Sequence, residues 1–103
     1  MTRTIILTLC SILISISLYA TEIPTVELGE KLFKADNLGT NGKSCHSCHP
    51  GGEGLHEIDA YDDDMLKEMV NFCIRDAIKG RMMDLESTEI ESFLLYLRSM
   101  KKS

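Results

Sequence analysis

The chain has 103 residues, enough for one small domain. It carries 11 basic against 16 acidic side chains, a formal net charge of −5, with three Tyr, three Phe and no Trp. Phosphate backbones need a basic stripe that this acidic, aromatic-poor chain lacks, so nucleic acid is excluded as the main partner. The 44% hydrophobic content excludes a disordered chain, and no Gly-rich phosphate loop is present.

Residues 1–20 read as a secretory signal peptide. Arg3 supplies the positive charge, the run from Ile5 to Leu18 has no charged residue, and the small Ala20 offers a cleavage point before Glu22. Leu18 stands where a smaller residue is usual. The apolar run is about 16–18 residues, near the lower limit for spanning a bilayer. Retention of an uncleaved signal is therefore the one route by which the protein would be held at a membrane. Cleavage leaves a single domain over residues 21–103, delivered to the periplasm. Arg3 and Cys10 depart with the signal, leaving ten basic against 16 acidic residues, a formal charge of −6. A domain this small needs a staple such as a disulfide, a metal or a cofactor.

The first expected helix covers residues 25–35, with Pro24 as its start signal and Leu28, Leu32 and Phe33 on one side at helical spacing. Gly29 costs about 1 kcal/mol inside a helix relative to Ala. Asn37, Gly39 and Gly42 then mark a turn.

Next come Cys45-His46-Ser47-Cys48-His49 and Pro50, placed in a loop or short turn by their Gly, Asn and Ser flanks. C-x-x-C-H is the attachment pattern of c-type haem. Cys45 and Cys48 on one tight turn can form thioethers with the two haem vinyl groups, and His49 can then bind the iron as proximal ligand. A plain C-x-x-C redox pair belongs beside a βαβ pattern, and none is visible. A zinc site needs a second ligand pair, and His46 and His49 are too close in sequence to act independently. Export and haem attachment share a compartment, so the two signals support each other. His46, between the attachment cysteines, is expected to face solvent. His56, in the Gly-rich stretch that follows, is expected on the surface.

A middle helix is expected over residues 62–79. Asp62, Asp63 and Asp64 suit its N-terminus and Gly80 its end. Leu66, Met69, Val70, Cys73 and Ala77 form its apolar stripe, with Ile74 and Ile78 at the edge and Met65 and Met69 read as packing positions. A last helix starts near Ser87 or Thr88. Thr88 and Glu91 fit a capping box. Ile90, Phe93, Leu94, Leu97 and Met100 form its buried face, and Lys101 and Lys102 suit its C-terminus. No stretch alternates as a strand, so the fold class is all-α, with three main helices.

Residues 29–33 (Gly-Glu-Lys-Leu-Phe), 45–49 and 84–97 together resemble a class I cytochrome c with one haem. That resemblance implies a first helix carrying G-x-x-L-F, a last helix packing across it at Gly29, and one covalent haem c completing the core. It spans nearly all of residues 21–103, but only the C-x-x-C-H motif is specific.

The sixth iron ligand has two candidate regions. In class I cytochromes a Met in a loop placed like Met82 and Met83 binds the iron, but the Pro expected after it is replaced here by Asp84. Residues 71–81, continued by Leu85, Ser87 and Glu89, are similar to the Cys-ligated haem domains of thiosulfate dehydrogenases and of the haem subunit of the periplasmic sulfur-oxidising complex. That similarity implies Cys73 as distal ligand with Gly80 ending its helix, although Met82-Met83 stands where that group often has Pro-Leu. A buried Cys is also a common small core residue.

Three functions follow as expectations. One is a periplasmic carrier of single electrons between redox partners such as a reductase, oxidase or dehydrogenase. Another is a haem enzyme or subunit in thiosulfate and inorganic sulfur oxidation with Cys73 on the iron. The third, a small-ligand sensor, requires an open sixth position.

Overall fold

The computed structural model describes residues 23–100; the expected signal peptide, Lys101 and Lys102 lie outside the described residues. Helix α1 spans Val26–Lys34. The Thr25 hydroxyl accepts the Leu28 N–H at 3.0 Å, satisfying one of the donors a helix start leaves open. At Ala35 the backbone turns extended and the helix stops. Helix α2 is a single turn, Cys45–Cys48. Helix α3 spans Asp63–Asp76 and helix α4 spans Thr88–Ser99. Short 3-10 turns occupy Pro50–Gly52 and Ile58–Ala60. Among the described residues no strand is present, only an isolated bridge between Gly39 and Gly80, so the fold is all-α. No described helix is long and apolar enough to cross a membrane.

Helices α1 and α4 make the closest pairing. A β-carbon on Gly29 would stand 2.0 Å from the Ser92 carbonyl oxygen and 2.7 Å from Tyr96 Cβ, so only glycine lets the two backbones approach this far. The Thr25 N–H donates to Ser92 Oγ at 3.1 Å across the same seam, and the Phe33 ring meets Tyr96 edge-on at 5.3 Å. Phe33, Leu66, Ile74, Ile78, Phe93, Leu94 and Leu97 form the core between α1, α3 and α4.

Several boundaries differ from those read in the sequence. Helix α3 ends at Asp76 rather than Lys79. Its last carbonyls are then taken by the turn: the Ile78 N–H reaches Cys73 O at 3.3 Å and the Gly80 N–H reaches Ile74 O at 2.7 Å. Lys79, not Gly80, takes the left-handed conformation, with φ 60°. Gly80 serves close contact instead, since a β-carbon there would lie 2.6 Å from Leu38 O and 3.1 Å from Gly39 Cα. Thr40 N–H donates to the Ile78 and Lys79 carbonyls, and Asn41 Nδ2 to Ala77 O, stitching the loop after α1 onto the end of α3.

Helix α4 is capped by Ser87, whose hydroxyl accepts the Ile90 N–H at 3.2 Å, in place of the expected Thr88–Glu91 box. Glu91 instead reaches across to Lys67 of α3. Met65 is 48% exposed, which corrects its reading as a packing position. The buried polar residues Ser44, Lys67, Asn71 and Ser92 all have partners: Ser47, Glu91, Met83 and the Thr25 amide, respectively.

Candidate functional site

Of the loop or short turn expected for the C-x-x-C-H motif, the structure has the short turn: Cys45–Cys48 form one helical turn and His49 is its C-cap. Ser44 and Ser47 close a capping box around α2: the Ser47 N–H donates to Ser44 Oγ at 3.1 Å and the Ser44 N–H to Ser47 Oγ at 2.9 Å. Two side chains at i and i+3 of one helical turn lie on one face. Cys45 and Cys48 accordingly line the same cleft, and His49, which ends the turn, lines it too.

The two neighbouring histidines are sorted by their hydrogen bonds. His49 Nδ1 lies 2.9 Å from the Glu53 carbonyl oxygen. A carbonyl can only accept, so Nδ1 carries the proton and Nε2 of the neutral ring keeps a free lone pair. At His46 the pattern is reversed: the Gly51 N–H donates to Nδ1 at 3.3 Å, which occupies that lone pair. His46 is also not turned fully to solvent, as expected, but half-buried, 6.3 Å edge-on from Phe33. His56 is exposed. Of the three histidines, His49 is the one on the cleft wall with its ring already oriented by a second partner, as metal-binding imidazoles are.

The cleft holds about 730 Å³ counting the solvent space at its open mouth. Besides α2 its walls come from Leu55 and Ile58, from Leu66, Met69, Val70 and Cys73 of α3 with Ala77 at its C-cap, and from Phe33 and Phe93. Ser44 is the one hydroxyl-bearing residue among its walls. An apolar cleft carrying two thiols at thioether spacing and one free imidazole nitrogen fits a flat, largely apolar tetrapyrrole. Cys45 and Cys48 would hold it through sulfur and His49 through Nε2.

Cys45, Cys48 and Cys73 are all free thiols. Burial, then the neighbouring Cys73 and Cys48, pushes the Cys45 thiol up to about 11. Burial, then Asp76 and Cys48, also raises Cys73. The three thiols thus line one cleft, and the ionisation of Cys45 and Cys73 is opposed there. Without a positive partner, these shifts favour the protonated thiol at Cys45 and Cys73. Among the described residues no group of three or more His, Cys, Asp or Glu side chains is arranged to hold a metal ion directly.

The distal candidates are placed differently. Cys73 is on the cleft wall, although it is exposed. Met82 is 43% exposed, and Met83 packs against the core without lining the cleft. Asn71 holds the Met83 backbone with both ends of its amide, donating to Met83 O and accepting from Met83 N–H, each at 2.7 Å.

Met69, read in the sequence on the same apolar stripe as Cys73, lines the cleft with it. Sequence reasoning missed two contributors, Asn71 and Arg98. The Asn71 clamp had only a weak signal, a polar residue inside an apolar helical pattern. Arg98 holds the cleft-wall segment through Ile58 O at 2.9 Å, Tyr61 O at 2.7 Å and Asp63 Oδ1 at 2.9 Å, and nothing local to its sequence announces those partners.

Comparison of the chain with protein-family models, with curated protein sequences and with solved structures gives no match.

Proposed function

We propose that this protein is a monohaem c-type cytochrome of class I type, exported to the periplasm, which carries single electrons between redox partners. The observation that carries the reading is the joint placement of Cys45, Cys48 and a tautomer-fixed His49 on one wall of an apolar cleft. Haem c, when bound, supplies reversible one-electron chemistry at its iron. The chain's own residues do the rest. The α2 turn fixes the two sulfurs, Glu53 O orients the imidazole, and the apolar walls exclude water and so favour the less charged state of the site.

Cys73 is the distal ligand this reading favours, because its wall position faces the thiols of Cys45 and Cys48 while Met82 and Met83 do not line the cleft. A ferric iron would provide the positive partner that its thiolate needs, and thiolate ligation lowers the potential. The same placement gives substance to a second reading, a haem enzyme or enzyme subunit acting on thiosulfate or related inorganic sulfur compounds. A formal charge of −6 over residues 21–103 would steer either protein toward a basic surface on its partner.

The test is production of the exported chain together with a haem-attachment system. The expected product is coloured and has the mass of the polypeptide plus one haem, and Cys45→Ala with Cys48→Ala abolishes that adduct. A colourless product of bare polypeptide mass would refute the reading. Thiosulfate-dependent reduction of the purified protein in catalytic turnover would favour the enzyme over the carrier.

A further inference from the structure

We propose that Asn71 is a positioning residue that keeps Met83 away from the cleft and thereby reserves the distal position for Cys73; this rests on the haem reading above. Asn71 and Cys73 are two residues apart on α3, which puts them about 160° apart around the helix axis. The face bearing Leu66, Met69, Val70, Cys73 and Ala77 lines the cleft. Asn71 is not on that wall; it is 5% exposed and spends its whole amide on Met83. The Met83 backbone is thus tied to a flank of α3 that points away from Cys73.

The chain on either side of Met83 has little slack. Before it, Gly80 is bound to α3 through Ile74 O and to the opposing loop through the Gly39 bridge. After it, Asp84 accepts from Glu86 N–H through its side chain at 2.7 Å and from Ser87 N–H through its carbonyl at 3.0 Å, and Ser87 is already the cap of α4. Only two residues, Arg81 and Met82, separate the anchored Gly80 from Met83. Both Asn71 bonds hold the Met83 backbone, and on this proposal their release is what lets the thioether reach the cleft. Asn71 acts through Met83 and touches no reacting atom.

Breaking that pair of bonds is expected to raise the population of released Met83 by roughly ten- to a hundred-fold. The test uses the covalent holoprotein and reads the near-infrared absorption of oxidised haem, where thioether ligation gives a weak band. Met83 ligation is defined as a band that Met83→Leu removes. The expected pattern is no Met83-dependent band in the wild type, none in Cys73→Ser, and its appearance in Asn71→Ala combined with Cys73→Ser. Asn71→Asp serves if the alanine variant does not fold, because a carboxylate still accepts from Met83 N–H but cannot donate to Met83 O.

A Met83-dependent band in Cys73→Ser with Asn71 intact would overturn the latch, as would its absence from the folded double variant. Failure of the Cys73 assignment is read separately. In that case Cys73→Ser leaves the low-spin spectrum unchanged, while release of Met83 by Asn71 substitution is scored as before.

Discussion

Lys67 Nζ and Glu91 Oε2 meet at 2.6 Å and tie α3 to α4 about one turn after each helix begins. The lysine side chain is 9% exposed and the glutamate 34%. Two charges that leave water together gain little net stability, but one left behind is costly.

Removing one charge of this pair should therefore cost more than removing both. Glu91→Gln is expected to lose about 1–2 kcal/mol, at the lower end for a buried pair because Glu91 still meets solvent. Lys67→Met with Glu91→Gln should recover most of that loss. Urea unfolding of the single and double variants measures the difference, and a double variant less stable than Glu91→Gln contradicts the account.

Substitution at Gly29 separates helix propensity from packing. Alanine would gain about 1 kcal/mol within α1, yet its methyl would meet Ser92 O at 2.0 Å. Overpacking against a backbone atom wins, so Gly29→Ala should lose about 3 kcal/mol or more. Thermal unfolding decides the sign, and a stabilised variant would mean that α1 and α4 do not pair this closely.

The haem-free chain should lose stability in alkali because of Cys45. Its thiol ionises from 9.0 when unfolded and is pushed up to about 11 in the fold, by burial first and then by Cys73 and Cys48. The folded state therefore holds a proton that the unfolded state releases, and stability falls as pH rises from about 9 to 11. Cys73, raised in the same direction, adds to the slope. Cys45→Ala should flatten this alkaline loss, and so should thioether formation, which leaves no proton to titrate. Denaturant titrations at a series of pH values test both, and an equal slope in wild type and Cys45→Ala would contradict the assignment.

Arg98 is expected to govern the wall that carries Ile58. Its bonds to two carbonyls and to Asp63 are charge-assisted. Arg98→Gln should destabilise the fold by about 2 kcal/mol. It should also speed hydrogen exchange at the Ala60 and Tyr61 amides, which bond within that turn. Unchanged exchange there would show that the segment is held by other contacts.

Much of this molecule was legible one residue at a time. The helical periods of α1, α3 and α4 follow from apolar spacing, and Pro24, Thr25 and Asp62 mark starts that local hydrogen bonding explains. The grouping of Cys45, Cys48 and His49 was legible from spacing alone, because one helical turn suffices to bring the two thiols to one face. The end of α3 and the cap of α4 were less legible. Gly80 and Thr88 are plausible punctuation by themselves, and only the contacts of Gly39 with Gly80 and of Glu91 with Lys67 put them to other use. The order of residues thus determined which segments coil and which groups are chemically equipped. Tertiary packing decided which equipped groups meet: it set Cys73 on the cleft and tethered Met83 elsewhere, because partners such as Asn71 with Met83 or Arg98 with Ile58 lie 12 and 40 positions apart and are chosen only once the helices have docked.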